Sequence, residues 1–189
     1  MKQQVPNLLT ILRFLMVPVF LYYLFVSTSA NGILISLIIF VVASFTDYLD
    51  GMLARKFGVI SDFGKIMDPL ADKALVISAL AGLCWLYPFK ISQLVFFIIV
   101  TREVLITVLR EVYHSRGIVV AADKLGKLKT VMQMAGIIVA LAAWAWLNPL
   151  PGKVITGVKI WFWIVTAVTL LSGVNYLLVL FKKKEHVHA

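Results

Sequence analysis

From Phe14 to Thr46 the chain carries no charged residue, and the same holds from Thr130 to Gly152 and from Ile160 to Phe181. Such runs approach or exceed the ~20 apolar residues that an α-helix needs to cross a bilayer. In hydrocarbon each backbone N–H and C=O must be satisfied inside its own segment, so these runs must be helices. The composition agrees. Of 189 residues, 61% are hydrophobic, and the mean hydropathy is +0.97. A soluble domain of this size needs more polar cover than that, so a soluble protein with a large core is set aside.

Turn signals at "STSANG" (27–32), "YPFK" (87–90) and "NPLPGK" (148–153) punctuate the sequence. Six helices are expected, at about 8–27, 31–56, 67–87, 91–114, 124–147 and 156–181, and these signals part the first from the second, the third from the fourth and the fifth from the sixth. The expected fold class is therefore all-α: a polytopic membrane protein with six transmembrane helices in one bundle, forming a single domain over 1–189. The second helix is apolar up to Thr46 and polar beyond it. A cleaved leader is the other reading of the first helix, since "STSA" follows a short apolar stretch. Against it, Asn7, Thr10 and Arg13 recur at three-residue spacing on one face of that helix, as a site would require.

The formal net charge is +9. The basic residues stand beside apolar runs, so they read as topology signals rather than as a nucleic-acid surface. Lys2, Arg13, Arg55, Lys56, Lys65, Lys73, Arg116, Lys124, Lys127, Lys129 and Lys182 to Lys184 gather on one side, against Lys90, Lys153 and Lys159 on the other. The first side is expected to be cytoplasmic, with both termini there. Cys84 is the single cysteine and lies in an apolar run, so it reads as a packing residue.

On that cytoplasmic side stands "TDYLDGMLARKFGVISDFGKIMDPLADK", residues 46–73. Asp47 and Asp50 are three apart, and Asp68 and Asp72 four apart, so each pair shares a helical face. Pro69 is expected in a first helical turn, with Asp68 as its cap. Four carboxylates in a poor solvent stay ionised only with cations between them. Oxygen-only donors favour Mg²⁺, Mn²⁺ or Ca²⁺ over zinc or copper, and none of His114, His186 and His188 falls in the motif. Paired divalent ions are a common device for displacement at phosphorus. Gly51 and Ala54 leave space beside the acids, and Arg55 offers a guanidinium for phosphate. Together these residues describe a pyrophosphate pocket at the membrane surface. An ion or proton pathway is the rival from another class; it would use buried acids too, but leaves the glycines and the arginine without a role.

The pattern Asp47-x₂-Asp50-Gly51-x₂-Ala54-Arg55-x₈-Gly64-x₃-Asp68-x₃-Asp72 resembles the signature of the CDP-alcohol phosphotransferases at every fixed position. Further stretches, "PNLLTILRFLMVPVF", "DPLADKALV", "TREVLITVLRE", "LGKLKT" and "TLLSGVNYL", resemble the branch of that family whose acceptor is sn-glycerol 3-phosphate. The resemblance implies a phosphatidyl donor, CDP-diacylglycerol, and two divalent ions, Mg²⁺ or Mn²⁺, on Asp47, Asp50, Asp68 and Asp72. Asp72 is also implied as general base. Asn7, Thr10, Gly51, Ala54, Arg55 and Gly64 would line the donor site. A homodimer in the plasma membrane, in contact with membrane lipids and with its active site at the cytoplasmic face, is the family precedent.

The acceptor phosphate needs cations of its own, and Arg110, Lys127, Lys129 and Arg102 are the candidates. Arg110 is seven residues after Glu103 and on nearly the same face, so a structural Glu103–Arg110 pair is the alternative. For Lys127 and Lys129 the alternative is snorkelling at a helix start. Phosphatidylglycerol as acceptor, as in a cardiolipin synthase of the CDP-alcohol type, is the other reading within the family.

Overall fold

The computed structural model describes residues 4–27, 29–57, 62–115, 124–147 and 149–188, and of these 4–11, 47–57, 62–72, 114 and 181–188 by backbone alone. Six α-helices account for nearly all of it, and no strand occurs among the described residues: α1 Gln4–Leu21, α2 Ala30–Phe57, α3 Asp62–Trp85, α4 Gln93–Ser115, α5 Lys124–Trp146 and α6 Gly152–His188.

Local chemistry sets the boundaries. Pro18 lies inside α1 and has no N–H to give the preceding turn. The helix widens one turn later into a π-helical segment, Tyr22–Val26, closed by the Ser27 N–H donating to the Tyr22 carbonyl at 3.1 Å. Ser29 then caps α2, its hydroxyl oxygen accepting the Gly32 N–H at 3.1 Å. Gly32 is required there. A Cβ at this position would sit 1.8 Å from the Ser27 carbonyl oxygen.

Two boundaries differ from expectation. α3 begins at Asp62, not near 67, so Asp68 does not cap it and Pro69 lies well past the first turn. An acid at a helix start is favoured by the macrodipole, and one proline in a membrane helix is tolerated where neighbouring groups satisfy the freed carbonyl. α6 runs to His188 rather than ending near 181. Its tail "KKKEH" is made of residues that tolerate or favour helix, with cations at the favourable C-terminal end.

The helices form two compact units: Met1–Pro88 with Ile137–Pro151, and Phe89–Gly136 with Gly152–Ala189. In the first, α1 packs along α2 and α3. Val17 and Phe20 of α1 with Leu24 of the π-helical segment, Ile33, Leu37 and Phe40 of α2, and Leu75, Ala79 and Leu83 of α3 are buried, each set recurring at helical spacing. Phe20 and Phe40 meet with ring centroids 6.1 Å apart, a favourable aromatic distance. Leu24 fills the space over Gly82, whose missing Cβ would lie 2.5 Å from the leucine Cδ2.

In the second unit α4 packs on α6. Ile106 of α4 meets Tyr176 and Leu180 of α6, with Leu109 and Tyr113 against them. The first half of α5 joins through Trp161, whose indole N–H donates to the Met132 carbonyl at 3.0 Å. Its ring lies over Gly136, where a Cβ would come within 2.7 Å of it.

Large apolar side chains are exposed on these helices, among them Leu15, Phe45, Phe97, Val131, Trp163 and Leu171. A surface of that kind fits hydrocarbon rather than water. Lys124–Trp146 and Gly152–Leu180 are long and apolar enough to cross a membrane, and shorter apolar stretches run Leu12–Val26, Ala30–Thr46 and Lys73–Trp85. Arg102, Glu103, Arg110 and Glu111 interrupt α4.

Candidate active site

The four aspartates fall on continuous helix: Asp47 and Asp50 in α2, Asp68 and Asp72 in α3. The backbone therefore meets the condition that each pair share a face, within one compact unit. The side chains of Asp47, Asp50, Gly51, Ala54, Arg55, Gly64, Asp68 and Asp72, and those of Asn7 and Thr10 in α1, lie outside the described residues.

Arg13 adds to this unit a feature that charge counting hid. Placed by its sequence on the cytoplasmic side and on one helical face with Asn7 and Thr10, it is 1% exposed in α1. It continues the three-residue spacing of Asn7 and Thr10. A guanidinium buried in an apolar helix unit is expensive and is usually functional.

The acceptor candidates lie in the second unit, and the structure sorts them. Glu103 of α4 pairs with Lys129 of α5, the lysine side chain 1% and the glutamate 22% exposed. The alternative of a Glu103–Arg110 pair is not what the structure holds; the partner of Glu103 comes from another helix. Arg102, next to Glu103, turns to α6, where its Nη2 donates to the Ser172 hydroxyl at 2.5 Å. Gly173 and Gly126 lie beside Arg102, and a Cβ on either would make only ordinary contact with it. A Cβ on Gly173 would stand 3.4 Å from Arg102 Cγ, and one on Gly126 would stand 3.9 Å from Nη2.

Arg110 and Lys127 are exposed. The Arg110 guanidinium carbon lies 5.9 Å from the centre of the Tyr176 ring, a cation–π distance. Tyr176 is 3% exposed, and its hydroxyl has no hydrogen-bond partner among the described residues. Lys127 lies about 200° around α5 from Lys129, so one helix cannot turn both ammonium groups to the same small ligand. Sequence reading grouped them by proximity; helical phase separates them. An open groove of about 410 Å³ between α4 and α6 is lined by Phe97, Leu105, Leu170 and Val174, with Thr101 and Arg102 its polar members. It is a place for hydrocarbon, not for a small dianion.

An all-helical chain with membrane-length apolar helices, an acid-rich segment on two successive helices and a separate group of cations defines a membrane protein with the residues to handle anionic groups. The chain belongs to the CDP-alcohol phosphatidyltransferase family, whose model matches residues 3–174. Among similar proteins, the probable phosphatidylglycerophosphate synthase of Mycobacterium tuberculosis is 38% identical over 174 residues, covering 90% of this chain and 78% of that protein. The CDP-diacylglycerol–glycerol-3-phosphate 3-phosphatidyltransferase of Bacillus subtilis is 32% identical over 185 residues, covering 90% and 92%. The protein of the same name in Mycoplasma genitalium is 33% identical over 181 residues, covering 87% and 75%.

Proposed function

We propose that the chain transfers the phosphatidyl group of CDP-diacylglycerol to sn-glycerol 3-phosphate, giving phosphatidylglycerophosphate and CMP. The observation that carries this reading is the family match over residues 3–174 together with relatives named for this reaction. The complete aspartate signature within the match supports it.

The chain is read as a six-span protein of the plasma membrane, working as a homodimer among membrane lipids, with both termini and the site on the cytoplasmic side. The donor's pyrophosphate is assigned to the acidic segment. Asp47, Asp50, Asp68 and Asp72 are all hard oxygen donors at i, i+3 and i, i+4 on unbroken helix, a set that fits two Mg²⁺ or Mn²⁺ ions. When bound, those ions would offset charge on the phosphoryl oxygens and on the departing CMP. Gly51, Ala54 and Gly64 leave room for the nucleotide. Arg55 binds its phosphates, and Asn7 and Thr10 line the same pocket.

Asp72 takes the proton of the acceptor hydroxyl as that oxygen attacks the phosphatidyl phosphorus. A new P–O bond forms, the bond to CMP breaks, and CMP leaves as the anion. Direct attack needs no covalent nucleophile, and the motif has no Ser, Cys or His placed as one. Arg110 and Lys127 bind the acceptor's phosphate, Arg110 by paired N–H donors. Lys129 and Arg102 support that site through Glu103 and Ser172.

The test offers purified protein CDP-diacylglycerol with glycerol 3-phosphate, phosphatidylglycerol, inositol phosphate or serine, and follows CMP. Release with glycerol 3-phosphate is expected. Release only with another alcohol moves the chain elsewhere in its family, and cation flux in liposomes without CMP release replaces the enzyme reading with transport.

A further inference from the structure

We propose that the Tyr176 hydroxyl is a further ligand of the acceptor's phosphate, donating to it beside Arg110; this rests on the acceptor reading above. The seam between α4 and α6 carries the argument. On α6, Ser172, Tyr176 and Leu180 recur at every fourth residue and are buried. On α4, Arg102, Ile106 and Arg110 recur at the same spacing, so each set shares a face. Ser172 meets Arg102, Tyr176 and Leu180 meet Ile106, and the Arg110 guanidinium carbon stands 5.9 Å from the centre of the Tyr176 ring. Packing uses only the ring. The hydroxyl is buried and has no hydrogen-bond partner among the described residues, and a phenylalanine would fill the same space against Ile106 and Leu180. A buried hydroxyl without a partner costs stability, so one that stands beside an exposed cation calls for a ligand that completes it.

The chemistry of the seam selects that ligand. One turn before the phenol's level, the buried Nε of Arg102 is also without a partner among the described residues, and it can only donate. Neither Arg102 nor Arg110 pairs with a carboxylate among the described residues. Two unmet donors and two cations without a counter-charge on one seam require oxygens that accept and carry negative charge, which a phosphate supplies. Arg110 is exposed and Tyr176 is 3% exposed, so the phosphate meets the guanidinium first and the phenol behind it. The open groove between α4 and α6 is lined by neither residue. The ring has a second task, since its π face is what holds Arg110 over the hydroxyl.

The test measures kcat and KM for both substrates, competition by inorganic phosphate, and thermal unfolding of the substrate-free protein, in wild type, Tyr176→Phe and Tyr176→Leu. Tyr176→Phe keeps the ring and removes the donor. It is expected to raise the KM for glycerol 3-phosphate and the inhibition constant of phosphate together, about 5- to 50-fold, as for a hydrogen bond to a charged group. The KM for CDP-diacylglycerol should stay within about twofold of wild type, the signature of binding lost at one substrate. The substrate-free Tm should hold or rise, because an unmet hydroxyl has gone. Tyr176→Leu also removes the face that holds Arg110 and should raise the KM for glycerol 3-phosphate further. A hydroxyl that serves only the fold, or that an ordered water satisfies, predicts a lower Tm or folded yield with both KM values alike, and that result overturns the proposal, as does a Tyr176→Phe that cannot fold. A raised KM for glycerol 3-phosphate with phosphate competition absent or unchanged places the phenol on the glycerol and overturns the phosphate assignment. Wild-type protein inert toward glycerol 3-phosphate overturns the acceptor reading and this inference with it. An active wild type with an unchanged or unselective Tyr176→Phe overturns this inference alone.

Discussion

The Arg102 guanidinium reaches from α4 to Ser172 of α6, and Ser172 Oγ is the acceptor of its Nη2 hydrogen at 2.5 Å. The Arg102 Nε, also buried, has no partner among the described residues, so the serine bears much of the burden of keeping this charge in an apolar unit. Ser172→Ala should lower stability by about 1–3 kcal/mol, the range for removing one partner of a buried charged donor. Thermal unfolding in detergent measures it, with Ser172→Thr as the variant that keeps the hydroxyl. An unchanged Tm in Ser172→Ala means that the bond contributes nothing.

Gly32 makes a second structural test. Its absent Cβ would fall 1.8 Å from the Ser27 carbonyl oxygen, a backbone atom that cannot swing aside as a side chain can. Gly32→Ala is expected to cost about 1–3 kcal/mol or more, as overpacking does. Ser29→Ala at the neighbouring cap should cost about 1 kcal/mol. Equal losses in the two variants would contradict the clash.

Removal of metal and removal of the base should be separable. EDTA should abolish CMP release, and Mg²⁺ or Mn²⁺ should restore it; full turnover in metal-free buffer removes the ions from the reading. Asp72→Asn should reduce turnover by ~10²–10⁴-fold, the usual share of general-base catalysis, while donor binding partly survives. Asp47→Asn should weaken metal and donor binding together. Near-normal turnover in Asp72→Asn would transfer the base role to another group.

Arg110→Ala should raise the KM for glycerol 3-phosphate far more than that for CDP-diacylglycerol. Arg110→Lys should recover only part of the loss, because an ammonium cannot reproduce a guanidinium's paired donors. Steady-state kinetics with each substrate varied in turn provides the comparison. The structure sharpens the expectation, since the partner that could have occupied Arg110 is instead committed to Lys129.

Periodic apolar runs made the six helices legible, and fixed spacing made the acidic segment legible, because both are local properties of a chain. The start of α3 differs from expectation because a proline suits a first helical turn, which put the start beside Pro69, whereas the helix begins at Asp62 and runs through Pro69. The Glu103–Lys129 pair was out of reach for a different reason. A seven-residue spacing within α4 pointed to Arg110, and nothing local reveals that α5 brings a lysine to the same carboxylate. The spacing puts Arg13 on one face with Asn7 and Thr10, but residue type alone does not report that its side chain is buried.

The length of α6 leaves it slack. Its apolar stretch Gly152–Leu180 has 29 residues, where ~20 would bridge the hydrocarbon. About nine residues, more than two turns, are surplus to crossing. Ser172, Asn175 and Tyr176 sit within the last nine of that stretch, so the helix can complete its passage and still bring polar side chains to the level of the lipid headgroups. The outer face stays greasy there while the inner face turns polar. Shortening α6 by two turns on its N-terminal side would remove that surplus and still spare the anchor of Arg102.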